Sequence, residues 1–133
     1  MQRDSIGARD GSGPIIVAID DDYRVRESIE SLLKSAGYKP ELFESADEFL
    51  RSGMLADAGC VITDVRMPGM DGIELQRRIR QQDPALPVIV ISAHMSDEAR
   101  QSALDGGAIE FLYKPFDGAE LLGAVQTALS KSR

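Results

Sequence analysis

Ile15-Ile16-Val17-Ala18-Ile19-Asp20-Asp21-Asp22 is the stretch that decides the fold, because an unbroken apolar run ends there in three acidic residues. Five apolar side chains in a row, most of them β-branched, are typical of a strand that is buried on both faces of a parallel sheet. Four further strand-like segments follow along the chain: Lys39–Phe43, Gly59–Thr63, Pro87–Ile91 and Ile109–Tyr113. The sequence therefore predicts five strands.

Segments with helical spacing of apolar residues separate the strands. The first begins near Arg24 and ends at Gly37, a natural left-handed cap, and a second, short helix begins at the capping box of Ser45 and Glu48. A third helix reaches about Gln82. Strands that alternate with helices along the whole chain predict an α/β domain with a parallel sheet.

The last two helices differ in apolar content. The segment that opens at Ser96 carries few apolar residues, so we expect it to be the most loosely held helix. The final helix is predicted to begin at Phe116 and to point three residues inward: Leu122, Val125 and Leu129.

Length and charge limit the class of protein. A chain of 133 residues with 43% hydrophobic residues suffices for one domain, predicted over residues 14–130 between a disordered leader (1–13) and a tail (131–133). The net charge of −7 argues against direct binding to nucleic acid or to an anionic membrane. No apolar stretch is long enough for a membrane span or a signal sequence, so we expect a cytoplasmic protein. The single cysteine, Cys60, is interpreted as a buried hydrophobic residue.

Polar residues stand directly after four of the predicted strands. Asp20 and Asp21 follow the first strand, Asp64 the third, Ser92 the fourth and Lys114 the fifth. Because open parallel sheets bind ligands beyond the carboxyl ends of their strands, we expect these side chains to converge. An isolated residue of these types is most often a helix cap or a solvated turn residue, so the prediction rests on their joint placement.

Clustered carboxylates repel one another and raise each other's pKa, so this group of residues needs a cation. Oxygen ligands without a neighbouring histidine or cysteine favour Mg²⁺ or Ca²⁺ over zinc. A metal ion, a hydroxyl and an ammonium group together can neutralise the charge of a phosphoryl group, and an aspartate beside them can act as the nucleophile. The sequence therefore predicts a site of phosphoryl chemistry.

Four stretches lie at these positions: Ile19-Asp20-Asp21-Asp22, Thr63-Asp64-Val65-Arg66-Met67-Pro68-Gly69-Met70-Asp71-Gly72, Ile91-Ser92-Ala93, and Gly107-Ala108 through Phe111 to Lys114-Pro115-Phe116. They resemble the receiver domains of bacterial response regulators, the CheY-like superfamily of two-component signalling. The acidic doublet alone is a weak signal, whereas DVRMPGMDG with SA and KPF in register is highly specific. The resemblance covers about Pro14 to Leu129. It implies a doubly wound, flavodoxin-like (βα)5 fold with strand order 2-1-3-4-5.

The resemblance also implies a role for each residue of the site. Asp64 is the expected phosphorylation site, and Lys114 is the residue expected to contact the phosphoryl oxygens. The expected cation is Mg²⁺, which Mn²⁺ or Ca²⁺ can replace. Its expected ligands are Asp64, Asp21 directly, Asp20 mainly through water, and the backbone carbonyl of Arg66.

Signal output is expected to depend on Ser92 and on Phe111 of the fifth strand, where many receivers carry tyrosine. The resemblance implies that Ser92 turns toward the phosphoryl group and that the aromatic ring turns inward. These movements would alter the surface of the fourth helix, fifth strand and fifth helix. Arg66 and His94 are expected at the rim, where they tune dephosphorylation, and the peptide bond before Pro115 is expected to be cis.

The implied phosphoryl donor is a sensor histidine kinase or a phosphotransfer protein. A second copy of the chain is a further partner if phosphorylation promotes dimerisation through the face formed by the fourth and fifth helices. The motifs are most similar to receivers of transcription regulators with helix-turn-helix or ATPase output. The domain is expected to catalyse only its own phosphorylation and dephosphorylation, and is not predicted to be an enzyme in the wider sense.

Two alternative interpretations remain. A haloacid-dehalogenase-type phosphatase also uses an aspartate nucleophile and Mg²⁺, with the pattern D-x-D-x-[TV]. Asp20 and Asp22 supply both acids, but Arg24 stands where threonine or valine belongs, and the DVRMPGMDG stretch is left unexplained. A pseudo-receiver that only mediates protein contacts is the second alternative, against which all five expected polar residues are present.

Overall fold

Five strands and five α-helices alternate through residues 13–131, the part of the chain that the computed structural model describes. The predicted leader, apart from Gly13, and the last two residues of the predicted tail lie outside the described residues. The strands are β1 (Ile15–Ile19), β2 (Lys39–Phe43), β3 (Cys60–Asp64), β4 (Val88–Ser92) and β5 (Glu110–Tyr113). The helices are α1 (Tyr23–Ser35), α2 (Ala46–Ser52), α3 (Gly72–Gln82), α4 (Asp97–Asp105) and α5 (Gly118–Lys131), with a 3-10 turn at Met54–Ala56.

The sheet is wholly parallel, in the order β2-β1-β3-β4-β5. This order confirms the predicted doubly wound, flavodoxin-like fold. The register places Ile16 beside Cys60 and Val61 beside Val88, so apolar residues of the central strands lie side by side. These strands have a neighbour on each side and helices on both faces, which is why they read as unbroken apolar runs.

The sheet separates two apolar clusters. One includes Val17 and Val61 and is covered by α2, α3 and α4. The other includes Ile16 and Ile62 and is covered by α1 and α5. Successive residues of a strand point to opposite faces, so each central strand fills both clusters at once.

The last helix begins later than predicted and packs on a neighbouring stripe. It begins at Gly118 and not at Phe116, because Asp117 is its cap and accepts a backbone N–H of the first turn. Its buried residues are Leu121, Ala124, Val125 and Ala128. Leu122 and Leu129, which were predicted to point inward, are only partly buried. A helix rich in alanine and leucine offers several adjacent apolar stripes, and tertiary packing selects among them.

The α4 helix is held at its carboxyl end. Ala103 is the one fully buried residue of this helix, as its weak apolar face predicts. From α3, the buried Gln76 side chain donates to the Ala103 carbonyl at 2.8 Å, and Arg80 donates to the carbonyl of Gly106 at 2.6 Å. Gly107, with a φ of 95°, adopts the left-handed conformation that ends the helix. Side chains of α3 therefore fix the point where α4 stops.

Cys60 is fully buried, which confirms its interpretation as a hydrophobic residue. Burial raises the pKa of its thiol to about 12, so the reactive thiolate does not form at neutral pH. Within residues 13–131, no helix combines the length and the apolar character needed to cross a bilayer.

Candidate functional site

The predicted polar residues meet at the carboxyl edge of the sheet. Asp64 and Ser92 are the last residues of β3 and β4, while Asp20 and Lys114 directly follow β1 and β5. The peptide bond between Lys114 and Pro115 is cis. Because the four strands are parallel and end at one edge, residues far apart in the chain come together there.

Lys114 lies between two carboxylates. Its Nζ is 2.8 Å from Asp20 Oδ2 and 3.4 Å from Asp64 Oδ2. Asp20 is fully buried and Asp64 is 6% exposed, so the ammonium group offsets charges that water solvates poorly. Asp21 is exposed, and one carboxylate oxygen from each of the three aspartates lies within 4.8 Å of the other two.

Backbone amides orient the buried carboxylates. Asp20 Oδ1 accepts the N–H of Asp22 at 2.9 Å, and Asp64 Oδ1 accepts the N–H of Val65 at 2.9 Å. The side chain of Asp22 accepts the N–H of Arg24 at 2.9 Å and caps α1. Asp22 therefore acts as a helix cap, and it was not among the predicted metal ligands.

The buried ionisable groups shift each other's pKa. Burial raises the pKa of Asp64 from its usual 3.8 to about 6, and the negative charge of Asp20 adds to the rise, while Lys114 opposes it. Burial works against the charge of Lys114, but hydrogen bonds and charges from Asp20 and Asp64 outweigh it and raise the lysine pKa. Without a cation, the cluster thus carries more negative charge than one ammonium group neutralises.

Asp64→Asn is expected to stabilise the metal-free protein at neutral pH. Because the folded-state pKa of Asp64 lies above its unfolded value, the stability that this residue contributes in acid is lost as the pH rises through about 6. Asparagine carries no charge, so the variant avoids this loss. At neutral pH its free energy of unfolding should exceed that of the native chain by about 1 to 3 kcal/mol. Urea unfolding at neutral and acidic pH measures the difference, which should shrink toward zero in acid. The exposed Asp57→Asn should change little, and a less stable Asp64→Asn at neutral pH would contradict the expectation.

The carboxylate cluster fits a divalent cation. Asp20 Oδ2 is buried, and its ion pair with Lys114 Nζ, at 2.8 Å, is the one polar contact recorded for it within the described residues. Three carboxylate oxygens within 4.8 Å of one another match the oxygen ligands that Mg²⁺ and Ca²⁺ prefer. The exposure of Asp21 leaves one side open for the water ligands that Mg²⁺ usually keeps.

Of the two predicted switch residues, Ser92 lies at this edge without a hydrogen bond to Asp64, and Phe111 lies within β5, beside Val90. The Ser92 hydroxyl donates to the His94 carbonyl at 3.2 Å and accepts the His94 N–H at 3.1 Å. Phe111 is 8% exposed, and its ring meets Tyr113 edge-on with 5.2 Å between centroids. The serine is thus held by its own loop, while the ring packs on the α3–α4 face of the sheet. The two predicted rim residues, Arg66 and His94, are exposed.

Three contacts at this site involve residues that the sequence did not single out. Arg26 Nη1 donates to the backbone carbonyl of Asp20 at 2.8 Å, and the buried Thr63 hydroxyl donates to that of Asp64 at 3.0 Å. Gly72 lies so close to Asp64 that a Cβ atom on it would overlap the Asp64 carbonyl oxygen. Each contact is made to a backbone carbonyl. Every residue has one, so such a contact cannot be recognised from the residue types in the sequence. The only hint of the third was the glycine that ends the DVRMPGMDG stretch.

Comparison with known proteins identifies the family. The family model described as "Response regulator receiver domain" matches residues 16–126. The chain belongs to the response regulator receiver family. This receiver is 41% identical over 115 residues to the response regulator protein TodT of Pseudomonas putida, a match that covers 86% of this chain and 51% of TodT. It is 38% identical over 117 residues to the transcriptional regulatory protein FixJ of Bradyrhizobium diazoefficiens, covering 88% and 57%.

A solved receiver has the same fold. The solution structure of the beryllofluoride-activated NtrC4 receiver domain dimer superposes with a TM-score of 0.82 at 28% identity, covering 87% of this chain and 96% of that one. The receiver described here spans about half the length of the curated relatives named above. Domains of this family are signalling domains of two-component systems and not classical enzymes.

Proposed function

We propose that this receiver accepts a phosphoryl group on Asp64 in a reaction that depends on Mg²⁺. The observation that carries the proposal is the position of Lys114 Nζ, 3.4 Å from Asp64 Oδ2, next to three carboxylates close enough to share one cation. A cation and an ammonium group beside one carboxylate can neutralise both that carboxylate and an incoming phosphoryl group.

The proposed donor is a phosphohistidine of a sensor kinase or phosphotransfer protein, or a small phosphodonor. An oxygen of Asp64 forms a bond to phosphorus while the bond from phosphorus to the imidazole nitrogen breaks, and the imidazole leaves with the electron pair and takes up a proton. The N–H of Val65 limits rotation of the Asp64 carboxylate. Lys114 binds the phosphoryl oxygens as their charge arrives.

The proposed ligands of Mg²⁺ are Asp20, Asp21, Asp64 and the backbone carbonyl of Arg66. Within residues 13–131, no backbone amide donates to the Arg66 carbonyl. When bound, the cation reduces the repulsion between these carboxylates and the phosphoryl group; Mn²⁺ or Ca²⁺ can take its place. Water later hydrolyses the acyl phosphate. The exposed side chains of Arg66 and His94 border the path of that water and tune its rate.

Phosphorylation is proposed to change the α4-β5-α5 surface through Ser92 and Phe111. The added charge of roughly −1.5 to −2 attracts the Ser92 hydroxyl, whose bonds within the His94 loop are 3.1 and 3.2 Å long. That loop leads into the amino end of α4, a helix with one fully buried residue and hence little resistance to displacement. Phe111 lacks the hydroxyl of the tyrosine common in the family, so it contributes through packing alone.

Beryllofluoride, a mimic of the phosphoryl group, tests the proposed site. With Mg²⁺ present, it is expected to bind the native chain and to shift the amide resonances of Asp64, Ser92 and Phe111. Lys114→Met should weaken this binding strongly because the ammonium contact is lost. The matched control is Lys34→Met, which removes an exposed lysine of α1 and should bind like the native chain. A native chain that shows no response would favour a pseudo-receiver, and a full response without Mg²⁺ would contradict the role of the cation.

The same samples test the proposed output. The receiver is expected to form a homodimer through the α4-β5-α5 surface, as the activated NtrC4 receiver is described as a dimer. Light scattering should then show that the mass of the native chain doubles with beryllofluoride and Mg²⁺. An unchanged mass would refute the dimer but not the phosphoryl site. Because FixJ is named a transcriptional regulatory protein, the proposed role of the signal is control of transcription.

A further inference from the structure

We propose that Arg26 is a positioning residue for the cation site, which clamps the acidic turn of Asp20 to Asp22 and thereby places Asp21. The inference rests on the proposed binding of Mg²⁺. Arg26 makes no ion pair with these aspartates within residues 13–131, and its contacts to the turn are to backbone carbonyls. It therefore acts on the ligands through the backbone that carries them.

Arg26 contacts both ends of the acidic turn. Its backbone N–H donates to the carbonyl of Asp22 at 3.1 Å, which is an opening hydrogen bond of α1. Its guanidinium Nη1 donates to the carbonyl of Asp20 at 2.8 Å, where β1 has just ended. The hydrogen bond is partly buried, so water competes for it less than for a surface contact. A single residue thus contacts the backbone at both ends of the turn, through its backbone at Asp22 and through its side chain at Asp20.

Asp21 depends on this turn more than the other two aspartates do. Asp20 is held at Oδ1 by the N–H of Asp22 and lies next to Lys114 at Oδ2, and Asp64 is also near Lys114. Asp21 is exposed, and within residues 13–131 its carboxylate has no hydrogen bond or ion pair. The conformation of the turn is therefore what brings the Asp21 carboxylate to within 4.8 Å of the other two.

Arg26 has two opposing effects on a bound cation. Its positive charge repels the cation, whereas its hydrogen bond to the Asp20 carbonyl orders a ligand-bearing turn. Arg26 is only half-buried, so solvent and salt weaken the repulsion. Groups that orient metal ligands from outside the ligand set typically change metal affinity by about 10- to 100-fold. We expect the ordering effect to prevail.

Titration of the free protein with Mg²⁺ alone tests the inference without any phosphorylation assay. The Kd is read from the amide resonances of Asp22 and Asp64 in the native chain and three variants. Arg26→Met removes both charge and donor and should raise the Kd about 10-fold. Arg26→Gln is neutral but keeps an amide donor, so it should lose less affinity. The matched control is Arg24→Met, which removes an exposed charge from the same helical turn and should not weaken binding.

Each outcome bears on a different statement. A weaker Kd for Arg26→Met, with partial rescue in Arg26→Gln and native-like Arg24→Met, supports the positioning role. A Kd equal to or tighter than the native value in Arg26→Met overturns it, even if that variant melts at a lower temperature, because Arg26 would then be merely structural. A native chain that does not respond to Mg²⁺ overturns the proposed cation site and this inference together.

Discussion

Asp64→Asn is expected to abolish covalent labelling of the receiver by a small phosphodonor such as acetyl phosphate in the presence of Mg²⁺. The substitution preserves the size of the side chain and an oxygen that can accept the N–H of Val65, but it removes the anionic nucleophile. The native chain should acquire a phosphoryl group that hydroxylamine removes, as expected for an acyl phosphate. Intact-mass measurement detects the added phosphoryl group, and radiolabel counted in the protein band of a gel detects it independently.

Asp22→Asn is the matched control for this experiment. Asp22 lies next to the carboxylate cluster in sequence, but its side chain caps α1, and asparagine is an equally good cap. Its labelling should therefore resemble that of the native chain. The two variants also separate a receiver from a haloacid-dehalogenase-type phosphatase, whose pattern would use Asp20 and Asp22. Label that persists in Asp64→Asn but disappears in Asp20→Asn would contradict Asp64 as the acceptor.

Gly72→Ala is expected to destabilise the receiver by about 3 kcal/mol, at the upper end of the cost of overpacking. A Cβ atom on Gly72 would overlap the carbonyl oxygen of Asp64 and lie 2.9 Å from its carbonyl carbon. Both obstacles are backbone atoms of β3, which cannot turn aside as a flexible side chain does. The Gly72 N–H also donates to the Val65 carbonyl at 2.8 Å, so α3 cannot retreat without losing this bond. Urea unfolding monitored by circular dichroism measures the effect.

Gly123→Ala gives the opposite sign and serves as the control for Gly72→Ala. Gly123 is an exposed residue of α5, and nothing lies within 4 Å of a Cβ atom built on it. Alanine there should stabilise the receiver by about 0.5 to 1 kcal/mol, since glycine is the weaker helix former. If both variants were stabilised, the close approach of α3 to Asp64 would not exist in solution.

The strand positions could be predicted from the sequence because burial on both faces leaves a direct mark on residue type. β1 is apolar throughout, β3 is apolar from Cys60 to Ile62 and β4 is apolar up to Ser92, which is typical of strands buried on both faces of a parallel sheet. The convergence of Asp20, Asp64 and Lys114 then followed from the rule that parallel strands present their carboxyl ends at one edge. Fold and polar cluster were thus accessible from pattern alone.

The details that the sequence missed depend on distances and not on residue types. In α5 the buried residue is Leu121 and not the predicted Leu122, because neighbouring apolar residues compete for one interface. Only the packed structure decides among them. The bond from Arg26 to the Asp20 carbonyl is invisible in sequence, since any residue supplies a carbonyl. The attachment of Ser92 to its own loop likewise depends on a rotamer, which no sequence pattern specifies.

The attachment of α4 at its carboxyl end has a geometric consequence. Hydrogen bonds from Gln76 and Arg80 hold that end, so a swing of the helix about it preserves them. The helix has 9 residues, which at ~1.5 Å each form an arm of about 13 Å, and a swing of about ten degrees carries its tip by about 2 Å. A partner bound near Ser96 would therefore contact a surface that is displaced by the full distance. A partner bound near Gly106 would contact the pivot, which is hardly displaced.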